Sequence, residues 1–260
     1  MYDFELEKPS TVAQAVAALG NEDAMALGGG QTLIPTMKQR LAGPSKLVSL
    51  AGIAEMQGIS SANGSVSIGG STTHASVAAG AGDYPALAAL ATDIADPAVR
   101  NRGTIGGSVA NNDPSADYPA AVLASGATIN TNARSISADD YFQGMFETAL
   151  EEGEIITSVD FPVPEAANYQ KFKQPASRFA LVGVMVAKYA DGVRVAVTGA
   201  SENGVFRWTE AEAALSANFS ADAIADLSIS ADGMIGDMHG SPEYRAHLAK
   251  VLTGRAVSAS

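Results

Sequence analysis

Two short segments hold the residues in this chain best suited to chemistry: Gly28-Gly29-Gly30-Gln31-Thr32 and Thr104-Ile105-Gly106-Gly107-Ser108. Each lies beside an apolar run and mixes glycine with polar side chains. A backbone without Cβ atoms can bring successive N–H groups against an anion. Two such loops in one chain point to a large phosphate-bearing ligand, and a dinucleotide fits better than a small substrate. Thr104 and Ser108 bracket the second glycine pair and could donate to phosphate or sugar oxygens. Asp117 follows, ahead of Tyr118-Pro119. A carboxylate repels phosphate, so Asp117 would accept hydrogen bonds from sugar-type hydroxyls. Capping a helix that starts at Tyr118 is an equally good use of it.

Other chemistries lack their patterns. Neither loop reads Gly-x-Gly-x-x-Gly, and neither runs into Lys-Ser or Lys-Thr, so the doubly wound dinucleotide fingerprint and the triphosphate P-loop are both absent. No Gly-x-Ser-x-Gly elbow accompanies His74. Asp113 and Asp117 resemble a carboxylate pair, but Asn111-Asn112-Asp113-Pro114-Ser115 reads as a turn. His74, His239 and His247 show no metal-ligand spacing, and no catalytic residue or metal ligand is assigned. Cysteine is absent, which excludes disulfides, thiol nucleophiles and iron–sulfur clusters held by this chain. Any redox chemistry therefore needs an organic cofactor.

The charge balance shapes how an anion could be held. Sixteen Lys and Arg face 28 Asp and Glu, a net charge of −12 over 260 residues. That field repels nucleic acid and anionic membrane. A phosphate must then be gripped by local backbone dipoles and one or two placed cations; Arg100 and Arg102 read as solvated. Apolar runs are too short and interrupted to cross a membrane. The first residues lack the basic-then-apolar pattern of a secretory signal, so a cytoplasmic protein is expected.

The elements that must position these loops alternate early in the chain. Ser10-Thr11 caps a helix through Leu19, 24–27 is a strand running into the first loop, 33–41 is a helix with Pro35 in its first turn, and 46–50 is a strand. Short strands at 58–60 and 65–69 precede helices at 76–79 and 85–90. A helix at 118–125 and a strand at 127–131 follow the second loop. The prolines of Phe161-Pro162-Val163-Pro164 mark a linker. Beyond it, strands at 179–189 and 192–200 form a hairpin over Ala190-Asp191-Gly192, and helices at 209–215, 221–227 and from Ser241 complete a small α+β unit.

In order, these motifs resemble the flavin-binding medium subunit of the molybdenum hydroxylases, the family of carbon monoxide dehydrogenase, xanthine dehydrogenase and related aldehyde-, nicotine- and quinoline-oxidising enzymes. Gly28 to Pro35 is similar to that family's Ala-Gly-Gly-x-Ser/Thr-Leu-Ile/Leu-Pro, with glycine at the usual alanine. Arg100 to Ser108, continuing through Asn111 to Asp117, is similar to its second glycine motif. Gly153 to Pro162, Phe172-Lys173-Gln174, Phe179 to Val182 and Ser241 to Leu248 extend the resemblance over almost the whole chain.

The resemblance implies an α+β fold: a vanillyl-alcohol-oxidase (PCMH)-like FAD-binding domain of two subdomains, 1–55 and 56–164, plus a small α+β C-terminal domain at 165–257. It implies FAD held by the amides of Gly28, Gly29, Gly30, Gln31 and Thr32, with Leu33 behind them, and by the Ile105-Gly106-Gly107 turn. Thr104, Ser108 and Asp117 would contact phosphate or ribityl oxygens, Ile94 and Ile156 would pack near the adenine or ring system, and Lys173 would stabilise the reduced flavin anion. It also implies electron transfer from iron–sulfur clusters on a small partner subunit. The molybdenum cofactor would sit on a large molybdopterin-binding subunit, in a dimer of heterotrimers. A stand-alone flavin oxidase or reductase, or a flavin-free binding module of the same fold, are the alternatives. His74 has no assigned role. No aromatic residue is assigned to the flavin face; Tyr189 is nearest by position, but reads as a core strand residue.

Overall fold

The first loop owes its place to a small parallel sheet. β1 (Glu5–Glu7), α1 (Val12–Leu19), β2 (Ala24–Leu27), α2 (Leu33–Lys38) and β3 (Lys46–Ser49) alternate in the chain, and the strands pair in the order β1-β3-β2. Thr11 caps α1 by accepting from the Gln14 amide, the use its side chain is suited to. Ala15, Ala18 and Leu19 of α1 pack with Val48, Leu50, Ile53 and Met56 into a small core. α2 stops at Lys38, short of the Leu41 expected from sequence. In this computed structural model residues 1–260 are all described.

The second unit is an antiparallel sheet of β4 (Ile59–Ala62), β5 (Ser65–Gly69), β6 (Thr128–Thr131), β7 (Ser135–Ser137) and β10 (Ile156–Pro162), ordered β4-β5-β10-β6-β7. Helices α3 (His74–Gly80), α4 (Pro85–Thr92), α5 (Pro97–Arg100), α6 (Ile105–Asn111), α7 (Tyr118–Ala124) and α8 (Ala138–Tyr141) surround it, and β8 (Phe142–Gly144) pairs with β9 (Glu147–Thr148) as a hairpin. α7 is buried along its whole length, which is why its sequence is almost entirely apolar.

Four antiparallel strands follow: β11 (Ala166–Lys173), β12 (Ala180–Tyr189), β13 (Gly192–Thr198) and β14 (Phe206–Arg207). β12 is buried on both faces. Val182, Val184 and Val186 join a core with Trp208, Leu215 and the long helix α10 (Pro242–Ser258), while Met185 and Ala187 join the core of the preceding unit. α9 (Thr209–Ala217) covers the same C-terminal core. The stretch at 221–227, expected as a helix, forms only a 3-10 turn at Ala221–Ile224. No helix is long and apolar enough to cross a membrane.

Candidate functional site

Where the small parallel sheet meets the second unit, a cavity of about 670 Å³ opens, within the range of small-molecule and cofactor sites. Both glycine loops line it. Gly28, Gly29, Gly30, Gln31, Thr32, Leu33, Ile94, Thr104, Gly106, Gly107, Ser108, Asp117 and Ile156 all reach its wall. Two expected residues do not. Ile105 is fully buried among Val109 and its neighbours and serves the core instead. Lys173 is half-exposed and paired with the Asp93 carboxylate.

The first loop fits a phosphate in a specific way. The N–H groups of Gly28, Gly29, Gly30, Gln31 and Thr32 donate to no acceptor within the protein. Runs of free amides of this kind form anion-binding concavities. Gly30 turns the chain with φ of +71°, a conformation that glycine takes without strain.

The second loop differs from expectation. Its amides are already engaged: Ile105 donates to the Thr72 carbonyl at 3.1 Å, Gly106 to Gly70 at 2.9 Å and Ser108 to Thr104 at 3.0 Å. The Gly107 amide donates to Thr104 Oγ1 at 3.1 Å, which caps α6. The glycines here serve packing. A Cβ on Gly106 would lie 2.6 Å from the Gly70 carbonyl oxygen, and a Cβ on Gly29 would lie 2.0 Å from that of Arg102. The two loops thus nest backbone against backbone, and side chains larger than hydrogen would hold them apart. What the second loop offers a ligand is the Ser108 hydroxyl, which has no protein partner, and the exposed Cα of Gly107.

Asp117 is buried in the wall, and its carboxylate is not the helix cap that one reading of the sequence made it. It stands at the N-cap of α7 but makes no capping hydrogen bond. Its carboxylate instead accepts from the Tyr169 hydroxyl at 2.6 Å and lies 2.9 Å from Lys171 Nζ. Burial pushes the carboxyl pKa up, and Lys171 opposes that rise. Lys171 is the buried cation of the site, one strand alternation away from the Lys173 that sequence pointed to. The period-two spacing of Tyr169, Lys171 and Lys173 on β11 was the available signal.

Other wall residues carried no clear sequence signal. His74 begins α3, is 5% exposed, and packs against the Cα of Gly103. Burial lowers its pKa to about 4, with a smaller contribution from Arg100. Arg100 is not merely solvated: its Nη1 donates to the Ile94 and Ala95 carbonyls and holds the bend beneath the cavity. Ser177, Arg178 and Phe179, in the β11–β12 connection, form part of the rim, and Arg178 is the one cation lining the cavity. Phe179, 47% exposed, is the aromatic ring at the cavity. Tyr189 lies elsewhere, donating to the Ser125 and Pro162 carbonyls. Glu154 closes another part of the wall; the Arg134 guanidinium holds its carboxyl down at about 2. No cluster of His, Asp or Glu is placed to hold a metal ion.

A cavity between two α+β lobes, floored by interlocked glycine loops and lined on one side by free amides, defines a nucleotide-cofactor-binding protein. The sequence pattern of the FAD binding domain in molybdopterin dehydrogenase matches residues 2–164. The chain is 35% identical to the carbon monoxide dehydrogenase medium chain of Afipia carboxidovorans, over 98% of this chain and 95% of that one. It is 33% identical to the nicotine 6-hydroxylase medium subunit of Paenarthrobacter nicotinovorans, over 96% and 94%. Among solved structures it resembles a Cu,Mo-CO dehydrogenase chain with a TM-score of 0.88, 33% identity and coverage of 98% and 96%. A quinoline 2-oxidoreductase chain from Pseudomonas putida 86 gives 0.88 at 29% identity, covering 99% and 96%. This chain belongs to the FAD-binding medium-subunit family of the molybdenum hydroxylases, and is an oxidoreductase subunit whose cofactor is FAD.

Proposed function

We propose that this chain is the electron-transferring subunit of a molybdenum hydroxylase complex. Electrons would arrive from iron–sulfur clusters on a small subunit, and substrate oxidation would take place on a large molybdopterin-binding subunit. A dimer of such heterotrimers, located in the cytoplasm, completes the proposal. FAD, when bound, would supply the exchange between one-electron and two-electron chemistry on the way to an external acceptor. The run of amides from Gly28 to Thr32, which lack acceptors within the protein and belong to residues lining the cavity, carries the assignment. Those amides would hold the pyrophosphate. Ser108 would add a hydroxyl contact, Asp117 would accept from the sugar-alcohol chain, and Ile94, Ile156 and Phe179 would supply apolar contact for the rings. Residues 1–55 and 56–164 would form the two flavin lobes, and 165–257 the lobe that closes over them. The absence of cysteine fits this division of labour, because the clusters must then be held by another chain.

The test is the visible absorption spectrum of the purified chain, with mass spectrometry of any released chromophore. The expected result is a flavin spectrum and the mass of FAD. Co-purification with two further chains, one containing iron and sulfide, is expected when the neighbouring subunits are expressed together. A folded chain that neither carries FAD nor takes it up when supplied would overturn the assignment.

A further inference from the structure

We propose that Lys171 is a positioning residue for the cofactor site: from β11 in the C-terminal sheet it stands behind the cavity wall, touches Asp117 and holds that carboxylate charged, leaving lone pairs for a hydroxyl donor of the cofactor. This role rests on the FAD assignment above.

The geometry is that of a built site. The Lys171 side chain is 1% exposed and the Asp117 side chain 4%. Tyr169 and Lys171 project from the same face of β11, and both end on this one carboxylate. Lys171 Nζ also donates to the Asp93 carbonyl at 3.2 Å, so the cation bridges the end of α4 and the start of α7. Lys171 pairs in register with Gly183 on β12. A Cβ at Gly183 would stand 2.3 Å from the Tyr169 hydroxyl, so the missing side chain makes room for that donor. An ionised carboxylate offers about four acceptor positions. Tyr169 and Lys171 occupy part of that capacity, and α7 uses none of it.

The charges around Asp117 are few. β11 presents Lys171 and Tyr169. α7 presents Tyr118, and the turn after α4 presents Asp93, itself neutralised by Lys173. With Lys171 removed, nothing else cationic offsets the burial of the carboxylate, and a buried carboxyl without a cation takes up a proton. The acid then presents a hydrogen where the site needs an acceptor.

The experiment uses the full chain, stripped of flavin and titrated with FAD by fluorescence quenching between pH 6 and 8.5. Wild type is expected to bind with little pH dependence. Lys171→Met is expected to bind roughly tenfold more weakly near pH 6, the size of a lost charged hydrogen bond, and to recover as pH rises and Asp117 ionises. Lys171→Arg should keep the wild-type pH profile. Tyr169→Phe should weaken binding without adding pH dependence. Adding Lys171→Met to Asp117→Asn should cost nothing further, because the lysine acts through that carboxylate. Wild-type affinity with a flat profile in Lys171→Met overturns the proposal, as does a full additional loss in the double variant. Should Lys171→Met fail to fold, wild-type affinity in Tyr169→Phe or a new pH dependence in Lys171→Arg overturns it. Wild type that binds no FAD overturns the cofactor assignment itself, a distinct result.

Discussion

At the scale of single residues, the site depends on what is kept uncharged and what is kept small. His74 is neutral at pH 7 in its buried position. The unfolded chain would protonate it near 6.5 and the folded chain only near 4, so stability falls as pH drops between those values and levels off below them. The span of about 2.5 units sets a ceiling of about 3 kcal/mol on that loss. A His74→Phe variant should flatten this part of the stability profile, measured by urea unfolding at pH 7 and pH 4.5. Glu154 acts at lower pH. Its folded pKa of about 2 lies below the ordinary 4.5, so its contribution is present above 4.5 and is lost as pH falls toward 2. Glu154→Gln should make acid unfolding in that window shallower. Size matters most at Gly29, where a Cβ would meet the Arg102 carbonyl. Gly29→Ala should lower FAD affinity at least tenfold, since misplacing one backbone loop against another removes several hydrogen bonds together; equilibrium dialysis against FAD reads this directly. Gly28→Ala faces the Thr104 hydroxyl rather than backbone, and should cost far less.

At the scale of elements, β12 links the molecule, because its alternate residues enter different cores. Met185→Ala should destabilise the protein by about 2–4 kcal/mol, the usual range for a buried truncation of that size, as read from a shift in the denaturation midpoint. The double burial of β12 was legible as an unbroken apolar run from Ala180 to Val186, and α1, β2 and the glycine loops were legible from caps and small residues. Among the strands that were not, β10 and β11 matter most for the site. β10 reads Ile-Thr-Ser-Val-Asp-Phe-Pro, with a register shift between Ile156 and Ser158 that breaks its alternation. β11 is half-buried from Ala166 to Lys171, exposed at Phe172 and Lys173, and carries lysines and a tyrosine in place of valines, so it has no hydrophobic signature, and Pro162 and Pro164 beside it suggested a linker. Missing β11 meant missing Lys171. The second loop was legible as a glycine motif but not in its use, because sequence shows where Cβ atoms are absent and not which carbonyl takes the vacated space.

At the scale of the whole molecule, the C-terminal sheet is a structural part of the flavin unit. Met185, Ala187 and Ala196 complete the core around α7, while Thr198 donates to the Pro114 and Ala116 carbonyls in the turn beside the cavity. Buried Arg245 anchors α10 to the same sheet through the Leu181 and Gly199 carbonyls, each at 2.7 Å. A fragment ending at residue 164 would expose one side of α7 and leave Asp117 without Lys171. It should therefore fail to unfold cooperatively, and calorimetry of the full chain should show a single endotherm.

The unsatisfied donors between Gly28 and Thr32 also bear on how the protein is handled. They do not distinguish a diphosphate in a coenzyme from an oxyanion in a buffer. Sulfate or orthophosphate at high concentration should compete for the same pocket and slow reloading of stripped protein, whereas a chloride-based medium should not. Protein eluted colourless in such a buffer is then expected to regain its colour when FAD is supplied in chloride.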